Sequence, residues 1–149
     1  MSLDPDETPT EPKIGWVNKH LHRYLESDGA EGHEWKPGVP TLLLTTLGRK
    51  SGKPYRTPLI YGRDGDNYVV MASYGGAPKD PDWYANLAAS PDVIIQVGPD
   101  VMRATASTVG DDRRDEVWAT MAAVWPDYDK YATKTDRKIP LVLLEPVTD

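Results

Sequence analysis

Four positive charges, Arg49, Lys50, Lys53 and Arg56, fall within eight residues that contain no acid, in a chain whose formal net charge is -6. Guanidinium and ammonium groups gathered this way suit a polyanion, and the bland alternative is a solvated basic turn. The surrounding Gly48-x-x-x-Gly52-Lys53-Pro54 is not a phosphate-binding P-loop. It lacks the fourth residue between the glycines, the Ser or Thr after the lysine and the helix that should follow. A second candidate anion element is Ser73-Tyr74-Gly75-Gly76, at a strand end just before a helix start, where backbone amides are free to face a ligand. Trp83 and Tyr84 suit stacking on a planar group as well as they suit a core. Tyr128 and Tyr131 carry phenols suited to hydrogen-bonding a substrate oxygen, or to tipping a lid over the core.

Other chemistry is excluded by absence. The chain has no cysteine, hence no disulfide, thiolate metal site or cysteine nucleophile. Its three histidines, His20, His22 and His33, all lie near the N-terminus, and no G-x-S-x-G elbow accompanies them. His20 and His22, two residues apart on a helix, point to different faces and make a poor metal pair. An enzyme so equipped draws its difficult step from a bound organic cofactor. A pI of about 5.0 is a weak footprint for a nucleic-acid binder, and no such partner is expected.

The elements that must position these groups are short. Ile14, Val17, Leu21, Tyr24 and Leu25 trace a helical stripe over residues 14–27, read as docking on the domain, with a lid or peripheral membrane contact as the alternative. Residues 41–47 and 55–63 read as a hairpin with the basic cluster at its tip, and Asp64-Gly65 turns the chain into a third strand at 68–73. Asp80-Pro81 opens a short helix to Ala89. Residues 93–97 and 101–107 form another hairpin, with Met102, Ala104 and Ala106 inward. Thr108-Val-Gly-Asp111 fits a capping box for a helix carrying Val117, Trp118, Met121, Val124 and Trp125, which Pro126 ends. A tyrosine-bearing linker then leads to a last buried strand at 141–144. The expectation is a mainly β (α+β) fold, a six-stranded antiparallel split barrel with short flanking helices, because closure removes exposed edges.

The chain has 149 residues, 39% hydrophobic and 27% charged, with 12 glycines and 14 prolines, which fits one domain of turn-linked strands. Residues 1–13 are expected to be a disordered acidic tail and residues 14–149 the domain. No apolar run approaches the roughly 18 residues of a membrane span, and a cytoplasmic protein is the default.

Ordered motifs carry a resemblance. Thr45-Thr-Leu-Gly-Arg-Lys-Ser-Gly-Lys-Pro54, Pro58-Leu59, Ala72-Ser-Tyr-Gly-Gly-Ala77, Pro81-Asp-Trp-Tyr-Ala-Asn-Leu87, and then Thr135-Asp-Arg137 and Ile139-Pro140, resemble the deazaflavin-dependent nitroreductase family of actinobacteria over about residues 14–146. The resemblance implies a split barrel similar to the FMN-binding barrels, and reduced coenzyme F420 as donor of a hydride to a quinone or nitroaromatic. It puts Arg49, Lys50 and Ser51 on the cofactor's anionic tail, with Arg56, Thr57 and Pro58 beside them. Met71, Ala72, Ser73, Tyr74 and Gly75 would run along the deazaflavin ring, and Trp83, Tyr84 and Asn86 would border it. Tyr128 would face the substrate, with Tyr131 as the second candidate for its role. Compared with the family's nitroimidazole-activating type, Tyr55 stands in place of an arginine, and Ile60 and Trp125 in place of tyrosines. Alternatives are an FMN-dependent reductase or oxidase on the same barrel and a non-catalytic deazaflavin or lipid carrier; a homodimer is also open.

Overall fold

The computed structural model describes residues 3, 9–11, 15–27, 29–31, 33–36, 39–73, 80–135 and 138–147. The described elements, in chain order, are α1 (Gly15–Glu26), β1 (Glu34–Lys36), β2 (Val39–Leu47), β3 (Pro54–Ile60), β4 (Gly62–Asp64), β5 (Asn67–Met71), α2 (Asp82–Ala89), β6 (Asp92–Val97), β7 (Asp100–Thr108), α3 (Asp111–Val124), α4 (Asp127–Thr133) and β8 (Leu141–Pro146).

Strands β2 to β8 form one antiparallel sheet in the order β3-β2-β6-β7-β8-β5-β4, and the short β1 pairs only with the start of β2. β3 and β4 sit at opposite ends of that order, yet only Tyr61 separates them in the chain. Laid flat, seven strands would hold their ends about 29 Å apart, whereas the two peptide steps across one residue span only about 7 Å. The sheet therefore curls into a half-barrel.

This corrects the six-strand expectation. The run from Tyr55 to Arg63 is two strands, because at Tyr61 the chain stops pairing with β2 and starts pairing with β5. The Tyr61 ring turns into the interior, edge-on to Tyr68 at 5.4 Å, and its hydroxyl meets His33 Nε2 at 2.9 Å. Two other readings change. Gly110, not Thr108, is the N-cap of α3, and Thr108 ends β7 with its hydroxyl on the Tyr84 phenol. The segment after Pro126, read as a linker, is helix α4.

Alternation along the strands builds two cores. Leu42, Leu44, Tyr68, Val70, Ile95, Ala104, Ala106, Val142 and Leu144 point inside the curl, where Leu87 of α2 joins them. Val69, Met71 and Leu141 point outward beneath Val117 and Met121 of α3 and Tyr128 of α4. β5 and β8 are thus covered on both faces, which explains their unbroken apolar runs. β2 is similar, since Leu43 leaves the interior to meet Leu21 and Tyr24 of α1. The apolar stripe of α1 is spent on the sheet, as its packing reading expects. No described helix is long and apolar enough to cross a membrane.

Of the N-terminal segment, Leu3 is buried against Leu47 and Ile94, and Thr10 adds a one-residue parallel bridge to Tyr55 on β3.

Tyr24 ties α1 to the sheet. Its hydroxyl accepts the Gly98 N–H at 2.6 Å and lies 3.2 and 3.3 Å from the carbonyls of Thr41 and Gln96. Burial pushes this phenol up to about 12, against the pull of the Gly98 N–H. Its unfolded value is about 10. The folded state therefore favours the neutral phenol, and that share of stability, full below pH about 10, is lost as pH rises through about 12. Tyr24→Phe should cost about 1–3 kcal/mol in urea unfolding at neutral pH by orphaning buried backbone groups. It should also flatten the alkaline loss of stability over that interval.

Candidate functional site

The β2–β3 hairpin ends in a compact turn over residues 48–53. Gly48 N–H donates to the Lys53 carbonyl at 2.7 Å, Gly52 N–H to the Gly48 carbonyl at 2.9 Å, and Lys53 N–H to Ser51 Oγ at 3.2 Å. Gly52 adopts φ +70°, a left-handed value that favours glycine. At Gly48 a Cβ would sit 2.5 Å from the Tyr55 ring, 2.7 Å from Ser51 Oγ and 3.0 Å from the Lys53 carbonyl oxygen, so a larger residue would displace the side chains that close the turn. Ser51 Oγ and the Tyr55 hydroxyl, 3.1 Å apart, brace it from outside.

Helix α2 fixes the orientation of the basic tip. Asn86 is buried, and its amide oxygen accepts from both the backbone N–H of Arg49, at 3.2 Å, and its Nη1, at 2.8 Å. The amide nitrogen of Asn86 donates to Thr46 Oγ1 at 3.4 Å. Arg49 also approaches the Asp82 carbonyl, at 3.4 Å, and its carboxylate, at 3.6 Å. The guanidinium is therefore held along α2, next to a groove of about 600 Å³.

That groove brings together seven of the expected cofactor residues, Arg49, Lys50, Ser51, Arg56, Thr57, Trp83 and Asn86. Trp83 is half-buried, its ring edge-on to Tyr84 at 6.4 Å. The Arg56 guanidinium is half-buried; burial weakens its hold on its proton and Glu11 strengthens it, and an arginine there stays charged. Tyr55, in the position of an expected arginine, lines the groove beside Arg56.

Other expected residues lie elsewhere. Pro58 faces Leu43 across the β2–β3 ladder. Tyr84 turns toward β7, where its hydroxyl meets Thr108 Oγ1 at 2.9 Å. Met71, Ala72 and Ser73 are buried at and just beyond the end of β5, and Ala72 N–H donates to the Pro140 carbonyl. Tyr74 and Gly75 lie outside the described residues.

Tyr128 and Tyr131 sit on α4 over the outer core, in the same apolar cluster as Met71. Tyr128 is 4% exposed, its ring edge-on to Tyr131 at 5.9 Å. Burial, with Tyr131 adding to it, pushes its phenol well above the ordinary value. Tyr131 is half-buried and its hydroxyl accepts from the Trp125 indole N–H at 3.3 Å.

Two groove residues had no signal in the sequence. Thr10 and Glu11 belong to the acidic N-terminal stretch, and what brings them to the groove is backbone pairing with β3, Thr10 N–H to the Pro54 carbonyl at 2.8 Å and Arg56 N–H to the Thr10 carbonyl at 2.9 Å. Only the folded edge of β3 makes that pairing visible.

A family model described as F420H(2)-dependent quinone reductase matches residues 16–146. An F420H(2)-dependent quinone reductase of Mycobacterium tuberculosis is 39% identical over 143 residues, 87% of this chain and 95% of that protein. A solved F420-H2 dependent reductase, FDR-A, shares 40% identity and superposes with a TM-score of 0.66, covering 71% of this chain and 94% of its own. A further solved relative, a domain-swapped dimer, is 36% identical with a TM-score of 0.69, over 90% of this chain and 100% of its own. The motifs that line the groove and the strands that carry them all fall inside the matched span, and the chain belongs to the F420H(2)-dependent quinone reductase family.

Proposed function

We propose that the chain, on a split-barrel scaffold, binds coenzyme F420 with its anionic tail in the groove. It passes a hydride from the reduced cofactor to a quinone, with nitroaromatics as further acceptors. The observation that carries this reading is the Arg49 guanidinium held by Asn86 beside Lys50 at the groove, a cationic wall in a chain of net charge -6. The residues fit such a cofactor: cations for a polyanionic tail, hydroxyls at Ser51 and Thr57, and the half-buried Trp83 ring as a border.

When bound, reduced deazaflavin supplies a hydride rather than single electrons. The protein's part is then binding, alignment and exclusion of water. Arg49, Lys50 and Ser51 would hold the tail, with Arg56, Thr57 and Pro58 on the adjoining β3. Met71, Ala72 and Ser73 would hold the ring, and Trp83, Tyr84 and Asn86 would border the cofactor. Tyr128, kept protonated by burial, would donate a hydrogen bond to the oxygen on which negative charge develops, and the proton that oxygen finally takes would come from Tyr128 or from water. Met71 and Tyr128 share one cluster, which supports placing the ring near the phenol. Tyr131 is the second candidate for that role. A cytoplasmic homodimer is the proposed form, after the relative solved as a domain-swapped dimer, and sedimentation equilibrium reads the assembly.

Fluorescence titration should show coenzyme F420 binding at least tenfold tighter than FMN. The opposite ranking would install the FMN reading, and F420 binding with no turnover of any quinone would install the carrier. Arg49→Ala and Lys50→Ala should each weaken cofactor binding roughly ten- to a hundredfold, less at high salt, and leave a tail-truncated cofactor unaffected. Asn86→Ala should lose about as much as Arg49→Ala, and the double variant little more than either, because both remove one unit.

Tyr128→Phe should lower kcat roughly tenfold to a thousandfold at unchanged cofactor affinity. Tyr131→Phe should retain most activity; a reversed result would exchange the two roles. With the Tyr128 phenol pushed upward, kcat should show no alkaline decline from this group below pH about 10.

A further inference from the structure

An acidic residue in an anion groove needs a reason. Glu11 lines the same groove as Arg49, Lys50 and Arg56, and attachments to two elements, β3 and α1, hold it there. The Thr10 backbone is paired to the Pro54 carbonyl and the Arg56 N–H of β3. From α1, His22 Nε2 lies 2.7 Å from Glu11 Oε1, and Asn18 Nδ2 donates to the same oxygen at 3.2 Å. Glu11 is thus held in the groove that Arg56 also lines, where its carboxylate favours the charged form of that arginine.

We propose that Glu11 is a specificity-determining residue of the groove. It offsets the Arg56 charge and so limits how much negative charge that end accepts, which sends the anionic groups of the ligand to Arg49 and Lys50 on the turn. The inference rests on the cofactor reading above and adds to it a charge gradient along the groove. At the turn, Arg49 is oriented by the neutral Asn86 amide, its carboxylate neighbour Asp82 being 3.6 Å away and 86% exposed, and Lys50 is exposed, so both present their charge to a ligand. At the strand end, Arg56 shares the groove with the Glu11 carboxylate, which is held by α1. A phosphate or carboxylate placed there meets repulsion from Glu11 along with attraction from Arg56, whereas an uncharged hydroxylated segment meets neither.

The test uses the full chain with Glu11→Gln, which removes the charge but keeps the oxygen that Asn18 and His22 contact. Coenzyme F420 and a deazaflavin truncated before its phosphate are titrated by fluorescence at low and at high salt. The expected result is a roughly three- to tenfold tighter binding of coenzyme F420 at low salt, the effect of one like charge in a half-solvated groove, shrinking at high salt. Affinity for the truncated, anion-free deazaflavin should not change, which also shows that the variant is folded. Unchanged or weaker binding of the full cofactor overturns the proposal, and so does an equal change for both ligands, which would make Glu11 a strap anchor. If the unaltered chain binds neither ligand, the cofactor reading falls and takes this one with it.

Discussion

One residue carries the chain from one end of the sheet to the other. With β3 and β4 at opposite ends of the strand order and only Tyr61 between them, the sheet has no flat state. Curling encloses the inner core and gives α2 a place to insert Leu87. Once α2 is anchored by Leu87, the adjacent Asn86 is delivered to the hairpin turn, and Arg49 has a fixed partner. The groove is a late consequence of a topological constraint settled by strand pairing. Tyr61 suits the position because its ring packs in the core while its hydroxyl reaches His33.

A cation that must attract a ligand cannot be neutralised by the protein that positions it. The buried partner of Arg49 is an amide, which accepts two hydrogen bonds and cancels no charge. The nearby carboxylate, Asp82, is 86% exposed and 3.6 Å away, so solvent and salt screen its pull. The contrast is with Arg113, which Asp64 meets through two bonds at 2.9 and 3.0 Å, tying α3 to β4. There the pairing is the purpose; at Arg49 the arrangement keeps the charge available. At its other end the groove is shared by Arg56 and by Glu11, which His22 and Asn18 of α1 hold in place.

How much of this the sequence disclosed depended on the range of the interaction. The basic turn, the presence of α2, both later hairpins and the buried β8 were legible because turn chemistry and alternation act within a few residues, although the N-cap of α2 is Pro81 and not Asp80. Motif order also pointed to Arg49, Lys50 and Asn86 as one group, and the three line one groove. Tyr61 was not, because nothing local marks a strand that changes partners midway through a continuous run. Residues 127–133 were hidden for a related reason: Asp127-Tyr-Asp-Lys-Tyr131 has the polarity of a loop, and the helix is stabilised by tertiary contacts of Tyr128 and by the Trp118 indole N–H donating to Asp129. Thr10 and Glu11 were invisible because composition marks their segment as solvated, while the bridge that places them joins residues 10 and 55.

Tyr128 shows how the outer core sets the character of a phenol. The ring belongs to an apolar cluster of Val69, Met71, Val117, Met121, Ile139 and Leu141. Tyr131, one helical turn on, rests its hydroxyl against the Trp125 indole N–H, so α4 is capable of satisfying a phenol. At Tyr128 the apolar surroundings, with Tyr131 adding to them, raise the cost of ionising the phenol and so hold the proton on its oxygen. The packing that closes the outer core beneath α3 and α4 thereby also fixes the charge state of this side chain.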